Sequence, residues 1–178
     1  MIKITKFGGS SVANAAQFRK VKHIIESDPS RRFVVVSAVG RAFKTDNKVT
    51  DLLYLCHAHM EYHVDCSPVF DMIKARYVRI RDELGLRCPI ERELDAIWNQ
   101  MKTSITLDEL VSRGEYLTAG LAIMGTCVHD TETSSVSVMT APLISSSAKK
   151  ACSGWPATIS PLSSRAFTAA RRMAGSAS

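Results

Sequence analysis

The first forty residues switch between two hydrophobic periods. Ile2 to Phe7 (I-K-I-T-K-F) alternates apolar and polar positions and is rich in β-branched types, which predicts a strand. Phe18, Val21 and Ile25 recur at helical spacing and predict a helix from about Asn14 to Glu26, ended by Asp28-Pro29-Ser30. Phe33-Val34-Val35-Val36-Ser37 is a continuous apolar run between turn signals, the pattern of a central parallel strand covered on both faces. Strand, helix and strand with a short connection form a right-handed βαβ unit. Such a unit sets the two strands side by side, with Gly8 and Ser37 at the same edge of the sheet.

Beyond Gly40 and the polar run from Lys44 to Lys48 the period is helical. Val49, Leu52, Leu53, Cys56 and Met60 form one stripe. Ser67 reads as an N-cap with Pro68 in the first helical position, and Phe70, Ile73, Tyr77, Ile80 and Leu84 continue as a second stripe. Pro89 opens a third, carried by Ile90, Leu94, Ile97, Trp98 and Met101. Thr106-x-x-Glu109 has the spacing of a capping box and starts a fourth, with Leu107, Leu110, Val111, Leu117 and Leu121. The expected architecture is α/β, a parallel sheet with helices on its faces.

Around Gly125 the pattern breaks. Residues 126–178 hold 12 Ser, 6 Thr and 9 Ala, whereas the first 125 residues hold only 8 Ser. Val136, Val138 and Ile144 suit short strands and Ala166 to Met173 a short helix. The rest offers too little apolar surface to offset its ordering entropy. The expectation is a domain over 1–125 followed by an irregular tail over 126–178 that a protease trims first.

Composition narrows the function classes only modestly. The net charge of +6 arises from 23 Lys and Arg against 17 Asp and Glu, interspersed along the chain without a basic block. Nucleic acid is therefore not an expected partner. No run approaches the length of a membrane span, so no membrane is expected either. Five cysteines at irregular spacings, with no C-x-x-C and no signal-peptide pattern at the N-terminus, fit a reduced, cytoplasmic compartment.

The candidate chemistry sits where the first strand ends. A strand feeding Gly8-Gly9 and then a helix gathers backbone N–H groups into an anion site, and Lys6 adds a point charge at the strand's C-terminal end. The order is not that of a P-loop. On these residues alone, a surface lysine beside a tight turn competes on even terms. His57, His59, His63 and Cys66 crowd into one stretch, but Met-Glu-Tyr between His59 and His63 is not a zincin spacing, and a polar helix face is the preferred reading, with no metal assigned.

Four segments in order change the balance: Lys6-Phe7-Gly8-Gly9-Ser10-Ser11-Val12, Val34-Val35-Val36-Ser37-Ala38, Lys48-Val49-Thr50-Asp51-Leu52-Leu53, and Ser112-Arg113-Gly114-Glu115-Tyr116-Leu117. Together they resemble the N-terminal part of the aspartate kinases, members of the amino acid kinase family, over about residues 1–121. The resemblance implies a three-layer fold, truncated here. It implies transfer of the ATP γ-phosphoryl, with Mg²⁺ accompanying ATP, to the β-carboxylate of L-aspartate. The product, 4-phospho-L-aspartate, opens the routes to lysine, threonine and methionine. By the same resemblance Lys6, Gly8, Gly9 and Ser10 hold the ATP phosphates, with Lys6 catalytic. Ser37, Thr50, Arg113 and Glu115 face the aspartate, and the full-length family admits homo-oligomers. Each substrate residue also has a plainer reading: Ser37 as a strand terminator, Thr50 as a helix cap, Arg113 and Glu115 as a solvated helical face. The resemblance fades after Leu121. No regulatory ACT domain has a counterpart, and the tail reads like a coding sequence in a shifted frame. A truncated form without turnover is expected; the alternative is a non-catalytic remnant or a small α/β module that binds an anion or a partner.

Overall fold

The computed structural model describes residues 2–126 and, as backbone, a strand at 137–140. The elements are β1 (Lys3–Phe7), a single 3-10 turn (Gly9–Val12), α1 (Ala15–Glu26), β2 (Arg31–Val36), α2 (Val49–Glu61), α3 (Ser67–Leu84), α4 (Ile90–Thr103), α5 (Leu107–Thr126) and β3 (Ser137–Thr140). The three strands form a parallel sheet in the order β1-β2-β3. β3 takes Val138, one of the three positions that suit strands in the segment after Gly125. The remaining expectations for residues beyond 126, the irregular tail and its proteolysis included, lie outside the described residues.

β2 is the central strand, as its apolar run predicts, and β1 lies at an edge of the described sheet. One expectation is corrected: the described helices stand on one side of the sheet and not on both. A strand order that never reverses puts right-handed crossovers on the same face. α5 accordingly lies against β2 and β3, and α1 packs on α5 and α3. Val34 and Val36 point into this helical layer and are fully buried, while Phe33 and Val35 on the opposite face are only half-buried. The continuous apolar run in β2 thus alternates after all, in depth of burial.

The core lies between the sheet and the helices. Its largest fully buried side chains are Tyr77, Leu53, Ile73, Ile80, Ile90, Leu94, Leu110, Leu117 and Leu121, drawn from the four stripes that the sequence displays. Local signals start the helices. The Asn14 side chain accepts from the Gln17 amide at α1. Thr106 and Glu109 close a reciprocal capping box at α5, at 3.1 and 3.3 Å. Ser67 does not cap α3. It is the first helical residue, and the Asp65 carboxylate accepts from its amide at 2.9 Å instead.

Candidate functional site

β1 and β2 end at the same edge, where the Ser37 amide donates to the Phe7 carbonyl at 3.0 Å. The two loops leaving these strands then touch through their backbones. The Gly40 amide donates to the Gly9 carbonyl at 3.0 Å. A Cβ on Gly9 would sit 2.9 Å from the Ala38 carbonyl oxygen, and one on Gly40 would sit 2.5 Å from the Gly9 carbonyl carbon. These two glycines are required by the fold itself. Gly8 differs, because nothing among the described residues lies within 4 Å of its missing Cβ and its φ of −74° suits any residue. The molecule leaves that side open, as a site for the close approach of a ligand would.

The helix after the glycines also departs from expectation. A 3-10 turn intervenes, and α1 begins only at Ala15 behind its own Asn14 cap, so the α1 terminus is not directed at the glycines. The Ser11 amide closes the turn on the Gly8 carbonyl at 2.9 Å. The amides of Gly9 and Ser10 open the turn and have no intrahelical acceptor. Lys6 and Ser10 are exposed at this end of the sheet.

From Gly40 the chain runs to α2 through a loop closed by Asp46, whose carboxylate accepts from the Ala42 and Asn47 amides at 2.9 and 3.0 Å. Burial works against the Asp46 charge, but the Ala42 amide and the Arg76 guanidinium outweigh it and hold the carboxyl below its ordinary range. The Val49 amide bonds the Val39 carbonyl at 3.0 Å and ties the start of α2 to the end of β2. The N-cap of α2 is Lys48, with no side-chain capping bond, so Thr50 is not a cap. Its half-buried hydroxyl stands in the first turn of α2, next to the Val39–Gly40 corner.

α5 supplies the third wall. Gly114 lets it pack directly on the corner after β2: a Cβ there would come within 2.9 Å of Ala38 Cβ and 3.1 Å of Leu53 Cδ1. The next residue, Glu115, is half-buried. Burial pushes its carboxyl above the ordinary range, and the positive charge of Lys6 pulls it partly back. The first strand and the last described helix therefore bring Lys6 and Glu115 into electrostatic reach of each other. Arg113 lies over the Tyr116 ring, 6.0 Å from its centre, and its Nε is buried without a hydrogen-bond partner.

Every residue to which the resemblance assigns a role lies on one of these segments: Lys6, Gly8, Gly9 and Ser10 on β1 and its turn, Ser37 at the end of β2, Thr50 in the first turn of α2, Arg113 and Glu115 on α5. The sequence reading missed Gly40 and the packing role of Gly114. Gly40 lies in no recognised motif, and Gly114 is hidden in a helical stripe. The histidines near the end of α2 have local partners: His57 faces Glu61 at 3.7 Å, and His59 Nδ1 lies 3.1 Å from the Asp65 carbonyl. Among the described residues no three His, Cys, Asp or Glu side chains gather where a metal ion could be held. Cys56 is a core residue whose thiol burial pushes up to about 12, so it is not a nucleophile.

No protein-family model matches the chain. Aspartokinase 3 of Bacillus subtilis is 45% identical over 85 residues, 48% of this chain and 19% of that protein. Aspartokinase 2, chloroplastic, of Arabidopsis thaliana is 31% identical over 128 residues, 66% of this chain and 23% of that protein. Among solved structures, the aspartate kinase of Clostridium acetobutylicum superposes with a TM-score of 0.67 at 40% identity, over 69% of this chain and 28% of that one. E. coli aspartokinase III in complex with aspartate and ADP gives 0.53 at 28% identity, over 70% of this chain and 28% of that one. The chain thus spans from about a fifth to just over a quarter of the length of these relatives.

Proposed function

We propose, from the premise that this chain is a partial segment of the aspartokinase family, that it carries the phosphate-facing and aspartate-facing groups of an aspartate kinase site. One observation carries the reading: the cation at the end of β1 lies within electrostatic reach of the half-buried carboxylate of α5, and β1 runs on into a glycine whose open side no described residue occupies. E. coli aspartokinase III is known in complex with aspartate and ADP, which are the ligands this arrangement suits.

In the proposed reaction a β-carboxylate oxygen of L-aspartate bonds to the γ-phosphorus of ATP as the bond to the β–γ bridging oxygen breaks. ADP leaves, and no proton is transferred. Both reactants are anions, so the first requirement is to lower their repulsion, and phosphoryl transfer is otherwise mostly positioning. Lys6 neutralises charge on the phosphates, and the amides of Gly9 and Ser10 donate to their oxygens, with Gly8 leaving room. Glu115 binds the α-ammonium of aspartate, while Thr50 and Ser37 donate to its oxygens. Arg113, with an unused Nε–H, suits the α-carboxylate, since a guanidinium presents a rigid fork of donors. Mg²⁺ would arrive with ATP, as the resemblance to the aspartate kinases implies.

Calorimetric titration of the full chain with ADP and with L-aspartate tests this. Lys6→Ala is expected to weaken ADP, and Glu115→Gln to weaken aspartate, each without the converse effect. A wild-type chain that binds neither, or variants that bind both as it does, would sink the reading. In that event the exposed Ile4 on β1 and Ile2 just before it, at 59% and 58%, favour the second reading of a module that pairs with a partner along this sheet edge.

A further inference from the structure

α3 meets the two halves of the site with consecutive side chains. Tyr77 is fully buried, and its hydroxyl donates to the Gly114 carbonyl at 2.7 Å, one peptide before Glu115. Arg76 runs to the loop between β2 and α2. Its Nη1 donates to the Gly40 carbonyl at 3.2 Å and the Asn47 carbonyl at 3.0 Å, and its Nη2 bonds the Asp46 carboxylate. We infer that Arg76 is a positioning residue of the site: its guanidinium fixes the Gly40–Asn47 loop, and through the Gly40–Gly9 contact it fixes the glycine turn that Arg76 does not touch. What the turn is fixed for rests on the function proposed above.

Three observations carry the inference. The Arg76 and Asp46 side chains are only 10% and 9% exposed, so the tether works in a shielded setting. Its acceptors stand at both ends of the loop, and Asp46 itself closes the loop on the Ala42 and Asn47 amides, so closure and tether share one carboxylate. Gly40 is bonded on both sides, its carbonyl by Arg76 and its amide to Gly9, which leaves a single residue between guanidinium and glycine turn. Stability alone accounts poorly for the arrangement. A buried ion pair is often no better than apolar packing of the same volume, whereas a planar fork meeting three fixed acceptors specifies geometry.

The test is site-resolved amide exchange by NMR on the full chain, for wild type, Arg76→Lys, Asp46→Asn and the control Arg81→Lys. Arg81 joins the same helix to Glu91 on α4, away from the site. A lysine keeps the charge but not the fork. In Arg76→Lys, exchange of the Gly40 and Ser11 amides is expected to accelerate about tenfold or more, the order set by losing one charge-assisted hydrogen bond, with the Phe18 amide of α1 unchanged. Asp46→Asn keeps both carbonyl bonds and should fall between. No acceleration at Ser11, equal acceleration at Phe18, or the same response in Arg81→Lys overturns the inference. ADP affinity, read in parallel, should drop by a similar factor in Arg76→Lys. A wild type that binds no ADP while Gly40 and Ser11 still respond to Arg76→Lys refutes the proposed function and leaves the positioning role standing.

Discussion

Three glycines at this site do two different things, and a sequence cannot tell them apart. Gly8 and Gly9 read as one pair, yet only Gly9 is enclosed by the fold. Gly9→Ala and Gly40→Ala should each destabilise by about 1–3 kcal/mol, since the intruding methyl meets backbone that cannot swing aside. Gly8→Ala should leave stability unchanged or raise it by about 0.4–1 kcal/mol, because its φ is ordinary and the unfolded chain loses freedom. It should nevertheless weaken ADP. Urea denaturation with ADP titration on the three variants checks the contrast; a Gly8→Ala protein that binds ADP normally would show that the open side faces no ligand. Glu115 gives the second prediction. Its folded pKa lies above the unfolded value, so the folded state holds the proton more tightly. Stability then falls as pH rises through the window above the ordinary glutamate range. Glu115→Gln removes that window, so urea midpoints should show the variant gaining on wild type as pH rises through the interval above the ordinary glutamate range. A variant that loses ground over that interval would contradict the assigned direction.

At the scale of elements, signals that act within a few residues were legible and those that depend on topology were not. The capping box at Thr106 and Glu109, the Asn14 start of α1 and the four apolar stripes follow from local spacing. Ser67 was misread as a cap because the competing Asp65, two residues earlier, offers a better acceptor. The burial of β2 was misread because a run of valines does not say how many layers surround it; the strand order does. α5 shows the same limit. Its Gly114 looks like a helix weakness, and alanine there gains about 1 kcal/mol of helix propensity in isolation. In the fold its Cβ would press on Ala38 and Leu53, a conflict worth about 1–3 kcal/mol. Gly114→Ala should therefore lower the urea midpoint against propensity and, by lifting α5 from the corner, weaken aspartate more than ADP. Equal loss of both ligands would place Gly114 in general packing only.

At the scale of the whole molecule, the order of the four motifs was enough to identify the relatives, because each motif marks a turn of chain that reaches one edge of one sheet. What the motifs could not reveal is how much of a working kinase the chain makes by itself. The matched stretch corresponds to 28% of each solved relative, and the groups proposed above for phosphate and aspartate include none, among the described residues, for the base or ribose of a nucleotide. In-line transfer needs both reactants held in register, and that register is worth an effective molarity of about 10⁵–10⁸ M. A nucleotide gripped only at its phosphates pivots about that grip, so the γ-phosphorus spends little time in line with the aspartate oxygen. The 178-residue chain alone is therefore expected to turn over aspartate several orders of magnitude more slowly than a complete aspartate kinase, even where it binds both ligands as proposed. A coupled ADP-release assay on the purified chain, with Lys6→Ala as the control, measures this. Aspartate-dependent release near the rate of a complete enzyme, abolished in the variant, would mean that Lys6, the glycine turn and Glu115 hold the nucleotide in line without further help, and the argument from register would fail.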